Sequence, residues 1–265
     1  MQMTENKKVN DDYKKIVKKG LDALNKKNMA LILHGVSFPS LKSENTGFGT
    51  YNSKGAKKIM DFASGMFDAI QLGPNGKTKS SDSSPYTGTV FSQNPLFMDL
   101  ASLATNEYDN LLSAVTLEKI VKENPNRYEN RAAYAYSLET LEQVMDEVYE
   151  NYKINASAKF KEDFEKFQKE NEYWLNNDAL YEALSIENNS DYWPQWENEF
   201  DRDLLSTWDK NKANARIDEI NKKYEDVITK YKLAQFITAS QSEKTRQYAQ
   251  SKNLKMIADR QVAFS

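Results

Sequence analysis

FDAIQLGPNGKTKSSD, Phe67 to Asp82, running directly into SSPYTGTVFSQNPLFMDL, Ser83 to Leu100, is the stretch on which the fold turns. It opens as a short apolar run and stops at Gly73-Pro74, a pair that ends regular structure. A long loop rich in Gly, Ser and Thr follows, with one tyrosine, Tyr86, held behind Ser84-Pro85. Parallel barrels put their sites on loops of this kind, at the C-terminal ends of strands over a fixed core.

Upstream, MALILH (Met29–His34) is short, continuous and apolar, and reads as a buried strand. GVSFPSLKSENTGFGTY carries Pro39, Gly47 and Gly49 and reads as a loop. Ser53 is placed to cap a helix over 54–65, with Ala56, Ile59, Met60 and Ala63 facing inward. Met66 to Leu72 is then a second buried strand. Two strands joined through a helix form a parallel βαβ unit, so His34 and the 73–94 loop are expected on one rim.

Before this unit, Tyr13, Ile16, Val17, Leu21 and Leu24 share a helix face, predicting a helix to about Lys27. After it, helical spacing dominates from about 100 to 252. Tyr134, Leu138, Leu141, Met145 and Val148 step by four and three, as do Phe160, Phe164 and Phe167. DYWPQWENEF (191–200) is broken by proline and reads as a loop packed on its own rings. LKMIADRQVAFS (254–265) is a third strand-like run. The expected organisation is an N-terminal helix (1–28), a βαβ part with the loop (29–100), a helical insertion (101–210), and a long helix with the third strand (211–265).

Composition narrows the function classes. With 265 residues and 39% hydrophobic content, the chain can bury a substantial core, and its formal charge is −3. Lysines gather at 7–8, 14–19 and 221–230, but acidic or apolar positions interrupt them, so they read as solvated helix faces and no nucleic-acid partner is expected. The absence of cysteine excludes thiol catalysis, thiolate metal sites and disulfides, and fits a cytoplasmic protein. MQMTENKKVNDDYKK lacks the apolar core of a signal peptide and no window approaches a membrane span, so no membrane association is expected. Without a Gly-rich phosphate loop, HExxH or CxxC, neither cofactor nor metal is expected. Aromatic content is high at 12%, which suits sugar clefts and ordinary cores alike.

Six blocks occur in an order that carries a family resemblance. The first three are LILHGVSFPS (31–40), FGTYNSKGAKKIMDF (48–62) and IQLGPNG (70–76). The fourth is Asp82 with SSPYTGTVFSQNPLFMDL (83–100). EYWLNNDALYEAL (172–184) with WPQW (193–196), and QFITASQSEKTRQYAQSKNLKMIADRQVAFS (235–265), complete the set. Together they resemble the N-terminal half of the amylomaltases, the bacterial 4-α-glucanotransferases or disproportionating enzymes. Residues 105–165 match loosely and the first 28 do not match. The resemblance implies an α/β fold, a partial (β/α)8 TIM-type barrel of about the first three parallel strands with a large, mostly helical insertion. It also implies retaining transfer of α-1,4-glucan segments between maltooligosaccharides. That chemistry needs a nucleophile and an acid/base carboxyl about 5–5.5 Å apart. In the family the carboxylates follow later strands, so the nucleophilic Asp and acid/base Glu are expected beyond residue 265, and none of the catalytic carboxylates within this chain.

Groove residues are what the resemblance leaves here. Tyr86 matches a family tyrosine that packs on the sugar, Ser84 a neighbouring polar contact, and Asp259 a strand-three aspartate that accepts hydrogen bonds from hydroxyls. Each has a plainer reading: a Ser-Pro-Tyr turn for the first two, and a helix cap for Asp259. His34, the one histidine, reads as hydrogen-bonded to loop backbone rather than as an acid or base. Ala258 and Arg260-Gln261 depart from the glycine and proline-containing stretch usual at this point. The leading reading is therefore the front portion of a 4-α-glucanotransferase, partnered by α-1,4-glucans and by the remaining half of the barrel. A non-catalytic glucan-binding or regulatory remnant is the alternative, and a helical interaction protein the third.

Overall fold

A computed structural model of the chain describes residues 2–78, 84–86, 90–129 and 131–259, with side chains from residue 11 onward. Its centre is a parallel sheet of three short strands, β1 (Ala30–Ile32), β2 (Ala69–Gln71) and β3 (Lys255–Ile257), in the order β1-β2-β3. Ala30 pairs with Ala69, and Ile70 with Met256. Asp68 gathers the strand entries: its carboxylate accepts the Met29 N–H at 2.8 Å, and its carbonyl accepts that of Lys255 at 2.9 Å.

β2 is buried as expected, with Ile70 fully enclosed. β1 is not. Ile32 is 76% exposed, and on β3 Ile257 is 44% exposed. The continuous apolar run of 29–34 marks a strand meant for cover on both sides, but among the described residues only β2 flanks β1. The same outer position exposes β3.

Helix α1 (Gln2–Ala23) closes earlier than the periodicity predicts, at Asn25, whose φ of 50° breaks the helix. It lies on α2 (Lys54–Ala63), where Tyr13 meets Phe62 edge-on at 6.2 Å. Ser53 caps α2 by accepting the Ala56 N–H at 3.0 Å. Ala56, Met60 and Ala63 then pack on Ile70 and Leu72 of the central strand.

The helices that follow are α3 (Leu100–Leu103), α4 (Ala114–Glu123), α5 (Tyr134–Asn155), α6 (Ala158–Glu170) and α7 (Glu172–Glu187). The last three are α8 (Glu199–Arg202), α9 (Lys210–Lys223) and α10 (Glu225–Ser251). α9 and α10 meet at Tyr224. α10 has 27 residues and so spans about 40 Å. It serves three cores in turn. Ile228 packs with α7 and α9, Leu233 and Ile237 with α3–α6, and Ala249 with α2 and the sheet. The WPQW segment forms a 3₁₀ turn at Trp193–Gln195, and the Trp196 ring stacks on Tyr181 of α7, with Phe200 of its own segment packed against the same cluster.

Candidate functional site

The C-terminal tips of the three strands meet at one rim. His34 follows β1, Gly73 follows β2, and Asp259 follows β3. Gly35 donates to the Leu72 carbonyl at 3.0 Å, and the Asp259 N–H to that of Gly73 at 3.2 Å, so backbone bonds stitch the rim beyond the sheet. Gly73 has a φ of 75°, and a Cβ there would lie 2.9 Å from His34 Cδ2. Only glycine suits both demands. The exposed imidazole packs on that bare backbone; among the described residues it makes no hydrogen bond to the loop, contrary to the sequence expectation.

Asp259 is half-buried, and its Oδ1 accepts from Gln71 Nε2 at 2.8 Å. The amide at the end of β2 thus fixes the carboxylate's orientation. Oδ2 has no such donor among the described residues. Tyr86 is 42% exposed, and its N–H is accepted by Ser84 Oγ at 3.4 Å, the closed turn that Ser-Pro-Tyr predicts. No hydrogen bond joins Tyr86 to Asp259 among the described residues. Residues 79–83 and 87–89 of the loop lie outside them, as do Arg260 and Gln261.

Both feet of the loop are clamped. Gly76 bridges to Gln93, and Asn94 donates to the Asn75 carbonyl at 2.8 Å. Gln235 of α10 grips Gln93 twice: its Oε1 accepts the Gln93 N–H at 2.9 Å, and its Nε2 donates to the carbonyl at 3.0 Å. Ser242 donates to Gln93 Oε1 at 2.9 Å. Further along, Gln241 grips Asp99 in the same two-sided way, at 2.8 and 3.2 Å. Lys77 pairs with Glu182 of α7 and lies 5.5 Å from the centre of the Tyr231 ring. Phe91 stacks on Trp174 at 6.1 Å and 21°, beside a cavity of about 190 Å³.

Burial governs the electrostatics behind this loop. It pushes the Asp99 carboxyl up to about 6, and the nearby Glu44 carboxylate adds to the shift. It also pushes the Tyr231 phenol well above its ordinary range, with Asp178 and Glu182 reinforcing the effect. The glutamines of α10 escape a reading by periodicity, which weighs apolar positions. Their signal is a polar stripe at helical spacing, Gln235, Thr238, Gln241 and Thr245, all buried.

Three parallel strands joined through helices, with a helical insertion before the third, fit the opening part of a (β/α) barrel, a class of fold that carries its sites at the C-terminal face. The family model described as 4-alpha-glucanotransferase matches residues 36–265, and the chain belongs to that family. A 4-alpha-glucanotransferase of Clostridium butyricum is 27% identical over 214 residues, covering 80% of this chain and 40% of that protein. The chloroplastic/amyloplastic 4-alpha-glucanotransferase of Solanum tuberosum is 24% identical over 90% of this chain and 38% of its own length. The chain therefore spans well under half of the curated relatives it matches. An amylomaltase from Streptococcus agalactiae, solved in complex with acarbose, superposes with a TM-score of 0.74 at 18% identity, over 90% of this chain and 44% of that one. Amylomaltase from Corynebacterium glutamicum gives 0.60 at 16% identity, over 94% of this chain and 32% of that one. At these identities the superpositions establish the partial barrel fold.

Proposed function

We propose that these residues form the substrate-groove portion of a cytoplasmic retaining 4-α-glucanotransferase, which moves α-1,4-glucan segments between maltooligosaccharides. Tyr86 offers a flat ring to the apolar C–H face of a sugar while leaving its hydroxyls free. Asp259, held by Gln71, accepts a hydroxyl hydrogen bond through Oδ2. Ser84 shapes the turn that presents Tyr86 and adds a polar contact. The nucleophile and the acid/base carboxyl come from barrel strands beyond β3, outside these 265 residues. Those strands also cover the outer edges of β1 and β3. The observation that carries the reading is the shared rim: His34, Gly73 and Asp259 stand together at the strand tips, where the clamped loop bearing Tyr86 begins.

The test follows maltotriose by chromatography of its product ladder. The chain alone gives no longer or shorter glucans. Adding a polypeptide that carries the later barrel strands restores the ladder, and Tyr86→Ala in that complemented enzyme lowers kcat/KM by roughly tenfold or more. Turnover by the chain alone places the carboxylates within it and overturns the proposal. Glucan binding with no turnover after complementation favours the non-catalytic remnant instead.

A further inference from the structure

A second cavity, of about 410 Å³, lies between α7 and the segment from Trp193 to Ser206, away from the strand tips. Its floor is apolar and buried: Leu180, Leu184, Leu204 and Trp196. Trp196 is fixed by stacking on Tyr181 at 6.0 Å and by its indole N–H, which donates to the Ser190 carbonyl at 2.9 Å. One wall is held by Asp201, almost fully buried, which receives Arg216 through two hydrogen bonds of 2.9 and 3.0 Å and Asn188 through a third of 3.1 Å. The walls are therefore built before any ligand arrives.

The mouth is different in kind. The Trp193 ring is 38% exposed there, among Asn177, Asp178, Arg202, Asp203 and Ser206. A lipid or other wholly apolar ligand would strip water from these carboxylates and the guanidinium without replacing it. An anion would meet Asp178 and Asp203. A neutral polyhydroxylated chain satisfies both halves, laying C–H faces on Trp193 and giving hydroxyls to the acids, Arg202 and Ser206. Elongation of the ligand also fits. The cavity adjoins a more polar one of about 650 Å³ across α7, sharing Asn177 and Leu180 with it.

We infer that this groove is an auxiliary α-1,4-glucan site, holding a distant part of the same polymer whose reacting end occupies the rim; the inference rests on the function proposed above. A second foothold raises the effective concentration of a long chain at the loop without adding contacts there. α7 joins the two places. Asp178 lines the cavity and accepts from Tyr231 at 3.4 Å, and Tyr231 lies under Lys77 of the loop.

Titration calorimetry of maltoheptaose into the chain tests this, with circular dichroism confirming the fold of each variant. Wild-type chain shows two classes of site. Trp193→Ala, a change at an exposed rim, weakens one class roughly tenfold and leaves the other. Tyr86→Ala does the reverse. If Tyr86→Ala removes all binding and Trp193→Ala none, the groove is overturned and the rim stands. If only Trp193→Ala matters, the rim reading fails and the groove stands. Absence of maltoheptaose binding overturns the groove. Should Trp193→Ala not fold, indole N–H resonances of the wild-type chain decide: shifts of Trp193 and Trp196 on adding maltoheptaose support the site, and unmoved resonances overturn it.

Discussion

Gly73 carries two constraints in one residue, a left-handed backbone and contact with the His34 ring. Gly73→Ala is expected to cost about 1–3 kcal/mol, read from the urea midpoint, because the new methyl must displace the imidazole and strain the turn together. An unchanged midpoint would show that the rim tolerates a side chain. Asp99 makes a pH-dependent case. Burial first, and the Glu44 carboxylate second, raise its carboxyl from an ordinary value of 3.8 to about 6, against the opposing Ala101 N–H, Lys54 and Lys57. Between these values the folded chain holds a proton that the unfolded chain has lost, so stability falls as pH rises from about 4 to about 6, then levels. Asp99→Asn keeps an oxygen for the Ala101 N–H and removes that fall, gaining about 1–3 kcal/mol at pH 7. Thermal melts at pH 4, 5, 6 and 7 check both slope and sign.

α10 is the element that converts helix packing into loop position. Its apolar positions serve three cores, while Gln235 and Gln241 face inward to bond the backbone of Gln93 and Asp99. An amide that both donates and accepts replaces the pairing a neighbouring strand would give, at a place where the chain is irregular. Gln235→Leu fills similar space but leaves the Gln93 N–H and carbonyl without partners, at a cost of about 1–3 kcal/mol. Amide hydrogen exchange at Gln93 should quicken by more than that at Ile70 in β2; equal change at both would mean global destabilisation rather than release of the loop. Trp196 of the WPQW segment stacks on Tyr181 of α7, while Glu182 on the same helix holds Lys77 of the loop.

At the scale of the whole molecule, the two edges of the sheet are its exposed part. β1 and β3 lie outermost among the described strands, each presenting an isoleucine to solvent. Such edges invite pairing with other chains. The isolated chain is expected to associate with rising concentration, and Ile32→Lys to reduce that association in sedimentation experiments with little change in melting temperature. Association unaffected by Ile32→Lys would place the contact elsewhere. No helix of the described residues is long and apolar enough to cross a membrane.

Local chemistry in the sequence determined the parallel βαβ unit, the Ser53 cap, the Ser-Pro-Tyr turn and the helical run after residue 100, because each depends on spacing and on neighbouring residues. The family resemblance is what proposes the loop and Asp259 as groove parts. Tertiary structure alone decided that β1 is exposed, that Trp196 belongs to α7, and that α10 reaches back to hold Gln93 and Asp99. Those outcomes join residues more than a hundred positions apart in some cases, and no local period encodes which distant backbone a buried amide will meet. Burial has the same origin: an apolar run announces its need for cover, while the partner that supplies it is fixed only by how the whole chain closes.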